Sequence, residues 1–272
     1  MIKSIIFAVD TDDRKSAIKY CLKLLKRKDI VNDIYAIKVG ILNIIDDGLS
    51  IVTDIKKKTG LPVICDLKLA EIPTIAVDIA KKVYMAGADG IVVQGFVGKS
   101  VISAIQESVP DLDIYIVSEM THNEGGFTQV HLEDIAKIAK EQCVTGIIGP
   151  GNRPIRLRKI RELVPNECKI IAAGVSKRQH GNEKEAFAAG ADLVIEGSDI
   201  RSLLNSHNEN KNIRSLSWTV LTYSMVGILL ALFGIYINKT QWNFITDKPI
   251  INIAVPTIFA IIGAIIGYLK RS

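Results

Sequence analysis

The 272-residue chain is short of cysteine and aromatic residues and lacks several signatures that would fix its class at once. Its four cysteines, Cys21, Cys65, Cys143 and Cys168, show no CxxC or metal-ligand spacing, which argues against a disulfide framework or zinc site and predicts reduced core residues. No GxGxxG follows the first apolar run, so a dinucleotide-binding sheet is disfavoured. Aromatics make up only 6%, and no basic stripe is interleaved with them, so the net charge of +5 does not point to nucleic acid. Met1 to Asp10 holds no apolar stretch long enough for a secretory signal, and residues 1 to about 205 are expected in the cytoplasm.

Apolar residues are not scarce. They reach 48%, and the mean hydropathy is positive. The excess is local: Leu216 to Ile237 and Ile250 to Leu269 carry no charge, and each is long enough to cross a hydrocarbon core of roughly 30 Å. The connector carries Lys239, Asp247 and Lys248, with Tyr236 and Trp242 suited to an interface, while Arg201, Lys211, Arg214, Lys270 and Arg271 flank the two runs. That pattern predicts a membrane hairpin, spans about 216–237 and 250–269, with both termini in the cytoplasm and the bilayer as a partner. The expected organisation is a domain over 1–205, a linker over 206–215 and the hairpin over 216–272.

Within the first domain, short Ile- and Val-rich runs recur, each followed by a turn and an amphipathic segment. Candidate strands are Ile5 to Val9, Ile34 to Val39, Val63 to Leu67, Gly90 to Val93, Ile114 to Ser118, Thr145 to Ile148, Lys169 to Ala172 and Leu193 to Ile195. Helical patterns include Lys15 to Lys26, Asp46 to Lys58, Thr74 to Met85, Leu132 to Glu141 and Glu183 to Ala189. Eight alternating units predict an α/β fold, a (β/α)8 TIM barrel followed by two transmembrane helices.

The segment from Cys65 to Pro73 ends an apolar run with Asp66, Lys68 and Glu71, three ionisable groups of alternating sign. In an extended strand, residues two apart share a face, so Asp66 and Lys68 are expected to point the same way. A strand-end salt bridge would explain these residues alone. Against that, Asp10, Lys38, Asp66, Lys68, Ser118, Thr121 and the segment Gly174 to Gln179 all fall at the C-terminal ends of predicted strands, where barrel enzymes build their sites. The glycine-bearing turns Ala173 to Ser176 and Glu196 to Asp199 have the position of a phosphate cradle.

These residues resemble the orotidine 5'-monophosphate decarboxylase family, in its archaeal branch. The resemblance covers about residues 4 to 201 and is carried by Ala8-Val9-Asp10, Ile37-Lys38-Val39-Gly40, Asp66 to Pro73, Ala86 to Asp89, Ser118 to His122, Gly149 to Pro154 and Gly174-Val175. It implies a homodimer with shared sites, acting without metal or organic cofactor on orotidine 5'-phosphate to give UMP. Lys38, Asp66, Lys68 and Glu71 would form the family's alternating array of lysines and acids, the last acid reaching the partner's site. Lys68 would stabilise and protonate the C6 carbanion. Asp10, Thr121 and Gln179 would contact ribose, pyrimidine and phosphate, and Gly174, Val175, Gly197 and Ser198 would form the phosphate end.

The chain departs from the family at three places. Glu71 stands for an aspartate, Ile75 for a threonine, and Ser198 for the phosphate-binding arginine expected directly after Gly197. Arg178 and Arg201 are candidates to replace that arginine. Two alternatives therefore stay open: a tethered barrel that binds nucleotide with impaired catalysis, and a lyase of the hexulose-6-phosphate synthase or 3-keto-gulonate-6-phosphate decarboxylase type. The latter would hold Mg2+ through a glutamate where Lys38 stands, and a lysine there repels a divalent cation.

Overall fold

The computed structural model describes residues 4–122 and 126–205. Eight strands, β1 (Ile5–Ala8), β2 (Ile34–Gly40), β3 (Val63–Leu69), β4 (Gly90–Gln94), β5 (Asp113–Val117), β6 (Gly146–Pro150), β7 (Lys169–Ala173) and β8 (Leu193–Glu196), pair in sequence order into a closed barrel. Every pairing is parallel, including the closing one in which Ile6 lies beside Ile195.

The strand runs are nearly continuous in apolar residues because both of their faces are buried. Ile6, Ala36, Ile64, Val92, Tyr115, Ile148, Ile171 and Leu193 fill the barrel interior. Their strand neighbours, among them Phe7, Ile37, Val63, Val93, Ile147, Ile170 and Val194, face the outer layer and join its helices in a second, larger core.

That outer layer comprises α1 (Arg14–Leu25), α2 (Lys28–Val31), α3 (Ile41–Asp47), α4 (Ser50–Thr59), α5 (Pro73–Met85), α6 (Lys99–Ser108), α7 (Phe127–Val130), α8 (Leu132–Glu141), α9 (Pro154–Leu163) and α10 (Glu183–Ala188), and residues 198–205 are also helical. Local chemistry sets several ends. Asp13 caps α1 by accepting from the Ser16 N–H, and Pro73 opens α5, where its missing N–H leaves no helical bond unmade. The single helix expected over Asp46 to Lys58 is divided: α3 ends at Gly48, whose φ of 64° and N–H bond to Ile44 O stop it, and α4 starts afresh at Ser50.

The expectation of a membrane-anchored protein is corrected here. Among the described residues no helix is long and apolar enough to cross a membrane. The segments 216–237 and 250–269 lie outside the described residues, as do the linker and the rest of 206–272.

Candidate active site

The C-terminal ends of the strands surround a cavity of about 490 Å³, a size suited to a nucleotide. Its charged pole is built by three strands. Lys38, near the end of β2, reaches Asp66 Oδ2 at 2.9 Å, and Asp10, just after β1, at 3.2 Å. Lys68 Nζ lies 2.9 and 2.8 Å from the two oxygens of Asp66. One carboxylate therefore holds two ammonium groups.

Asp66 and Lys68 do not meet through regular strand alternation. Between Cys65 and Leu69 the register shifts: those two residues pair with Ile91 and Val93, so four steps on β3 match two on β4. The surplus forms a bulge, with Lys68 held at φ 46°, a left-handed conformation that a lysine adopts only at a cost of about 1 kcal/mol or more. The bulge turns Lys68 back onto its neighbour's carboxylate and into the cavity. On the facing side, Gly40 lets Asp10 approach, because a Cβ at residue 40 would overlap Asp10 Oδ1.

Burial sharpens the electrostatics. Lys38 and Asp66 are only 7% and 5% exposed. Burial works against the charge of Lys38, but Asp66 and Asp10 outweigh it and raise its pKa above the usual lysine value. Burial likewise opposes ionisation of Asp66, yet Lys38 and Lys68 prevail and hold it below the usual carboxylate range. Both groups are charged at neutral pH. A buried array of this kind is rarely worth its desolvation as a structural device.

The cavity's other wall is apolar, lined by Val92, Val117, Met120, Ile148 and Ile195. The lining also includes the polar group Thr121, Gly174, Ser176, Gln179, Gly197 and Ser198, together with Arg178 and Arg201. The structure thus gathers Asp10, Lys38, Asp66, Lys68, Thr121, Gly174, Gln179, Gly197 and Ser198 around one space. Two expected site residues do not line the cavity. Val175, past the end of β7, packs its side chain into the outer core, close to Gly151. Glu71 is exposed at the edge of the barrel mouth, where its Oε2 accepts from the Ile72 N–H at 3.2 Å.

One cavity residue was not singled out from sequence. Glu119 is fully buried and bound by Arg153 at 2.9 Å and Arg156 at 2.6 Å, which ties the segment after β5 to α9. Its position inside the Ser118 to His122 element was the available signal. Among the described residues no group of three or more His, Cys, Asp or Glu has a metal-binding arrangement. The place between Asp10 and Asp66 is filled by the Lys38 ammonium.

Residues 3–214 match the model of the orotidine 5'-phosphate decarboxylase / HUMPS family. The chain belongs to that family. It is 36% identical over 221 residues to the orotidine 5'-phosphate decarboxylase of Pyrococcus furiosus, covering 81% of this chain and 99% of that protein. It is 38% identical to that of Methanosarcina acetivorans, covering 72% and 86% respectively. Among solved structures, the orotidine 5'-phosphate decarboxylase of Pyrococcus horikoshii OT3 superposes with a TM-score of 0.65 at 35% identity, over 74% of this chain and 91% of that one. The orotidine 5'-monophosphate decarboxylase of Methanocaldococcus jannaschii complexed with the inhibitor BMP gives 0.67 at 29% identity, over 77% and 98%.

Proposed function

We propose that the protein is a carboxy-lyase that converts orotidine 5'-phosphate to UMP and CO2. The observation that carries this reading is the Lys38–Asp66–Lys68 network, with Lys38 and Asp66 buried, opening into a nucleotide-sized cavity. Cleavage of the bond between C6 and the carboxylate leaves an electron pair on C6. That pair lies in the ring plane and gains little from conjugation, so the protein must stabilise it electrostatically. The Lys68 ammonium, fixed by Asp66, supplies that charge and then its proton, leaving a neutral amine that solvent reprotonates. Lys38 keeps Asp66 ionised, and Asp66 in turn crowds the substrate carboxylate in the ground state. Asp10 would accept from a ribose hydroxyl, and Thr121 and Gln179 would contact the pyrimidine and phosphate.

Glu71 fits a homodimer, in which it would serve the neighbouring subunit's site. It is exposed, it does not line its own cavity, and Ile72 and Ile75 beside it in the chain expose apolar surface, as do Leu42 and Ile45 of α3. The reading routes the chemistry through Lys68 and needs no metal.

Reaction in D2O tests the proposal. The UMP formed should carry deuterium at C6 by NMR, and Lys68→Ala should abolish its formation. No UMP from the wild-type protein, or unchanged turnover by Lys68→Ala, would refute it.

A further inference from the structure

We infer that Arg201 is the residue that binds the substrate phosphate, in the role of the arginine that Ser198 replaces after Gly197. The inference rests on the decarboxylase reading above, and it identifies a group which that reading leaves unassigned.

The geometry begins at Gly197. Arg201 N–H donates to Gly197 O at 3.0 Å, the first turn of the helical residues 198–205. Side chains of an α-helix lean toward its N-terminus, so a residue at 201 reaches back over residue 197. Arg201 does so: its Nη1 lies 3.2 Å from the point where a Cβ on Gly197 would sit, and it donates to Ala8 O at 2.8 Å. The absence of a side chain at 197 leaves room for the guanidinium. Residues 198 and 201 are three apart on one helix, so both face the cavity, and both line it.

The charge then calls for an anion. Among the described residues Arg201 makes no ion pair, and its only side-chain hydrogen bond is the one to Ala8 O. That bond tethers the guanidinium and leaves other N–H groups unspent beside the cavity. A planar, always-charged fork held in place suits a phosphate monoester better than the flexible ammonium of a lysine. Ser198 and Gly174 line the same cavity.

Arg178 is the alternative. It lies on the exposed turn Lys177–Gln179 and makes no hydrogen bond or ion pair among the described residues. An arginine without such a tether must be ordered when ligand binds, which costs part of the energy gained. Arg201 is therefore the anchor and Arg178 an accessory.

Calorimetric titration of the full chain with UMP and with uridine tests the assignment, alongside decarboxylation kinetics. Arg201→Ala should weaken UMP by about 10- to 100-fold, as expected for a lost charge-assisted pair, and leave uridine affinity unchanged. Its kcat/KM for orotidine 5'-phosphate should fall by at least the same factor. Arg178→Ala should weaken UMP less than Arg201→Ala. Where Arg201→Ala does not fold, Arg201→Lys and Arg201→Gln decide by the same ratio of UMP to uridine affinity, the lysine variant retaining more of it. Unchanged UMP affinity, or equal weakening of UMP and uridine, would overturn the assignment while an active wild type leaves the decarboxylase reading intact. A wild type that neither binds UMP nor decarboxylates would overturn both.

Discussion

Lys38 and Asp66 form a buried ion pair, Nζ to Oδ2 at 2.9 Å, that ties the end of β2 to the bulge of β3. Removing Asp66 leaves the buried Lys38 with the half-exposed Asp10 as its counter-charge, whereas removing Lys38 as well takes that charge away. Asp66→Asn should therefore lower stability by about 3 kcal/mol in denaturant unfolding. The double variant Lys38→Met/Asp66→Leu should recover most of that loss while remaining inactive. A double variant less stable than either single one would show that the pair stabilises the fold.

The same pair sets the limits of the pH range. Asp66 has a folded pKa below the ordinary 3.8, so its contribution is present above that value and is lost as pH falls toward the folded one. Lys38 has a folded pKa above 10.5, so its contribution holds below 10.5 and is lost as pH rises through the folded value. Neither changes stability near neutrality. Glu196 does: burial first, then Asp199 and Glu183, push its pKa from 4.5 up to about 7, and its Oε2 has no hydrogen-bond partner among the described residues. The folded state holds this proton where the unfolded chain has released it, so stability should fall by about 1–3 kcal/mol as pH rises from 4.5 to 7. Thermal unfolding across that range checks this, and Glu196→Gln should flatten the slope.

Much of the fold was legible because barrel strands buried on both faces must be apolar throughout, and all eight expected runs, such as Lys169 to Ala172, contain or overlap an observed strand. Leu132 to Glu141 was legible to the residue, since its apolar period is unbroken. Gly48 was not read as a helix end, and its positive φ is a conformational fact that composition alone does not declare. The pairing of Asp66 with Lys68 was anticipated for the wrong reason: alternation predicts a shared face, but the contact depends on a bulge set by β4. Arg201 escaped placement because reaching over Gly197 is a property of the helical turn between them. The apolar runs beyond residue 215 predicted a membrane anchor, an expectation corrected by the lack of any membrane-crossing helix among the described residues.

The bulge yields a backbone prediction. At φ 46° any Cβ is strained, and glycine is not. Lys68→Gly should be at least as stable as Lys68→Ala, by about 0.5–1 kcal/mol in paired unfolding curves, although both lose the amine. An alanine variant clearly more stable than the glycine one would contradict the left-handed assignment.

Asp10 depends on Gly40. A methyl group there would collide with Asp10 Oδ1 and move that carboxylate away from Lys38, while Lys38 Nζ, 3.6 Å from the same point, would meet it only in ordinary van der Waals contact. Gly40→Ala should therefore raise KM more than it lowers kcat, since the role proposed for Asp10 is to bind the ribose. Steady-state kinetics on orotidine 5'-phosphate would show the split, and a selective loss of kcat would point to Asp10 acting on the reacting array.

The central claim is that Lys68, held by Asp66, protonates C6. The kcat/KM for orotidine 5'-phosphate, measured with a chelator present for the wild type and Lys68→Ala, tests it most directly. A chelator-indifferent wild-type activity that falls by at least about 10³-fold in the variant is the expected result. Activity retained by Lys68→Ala, or lost on adding chelator to the wild type, would contradict it.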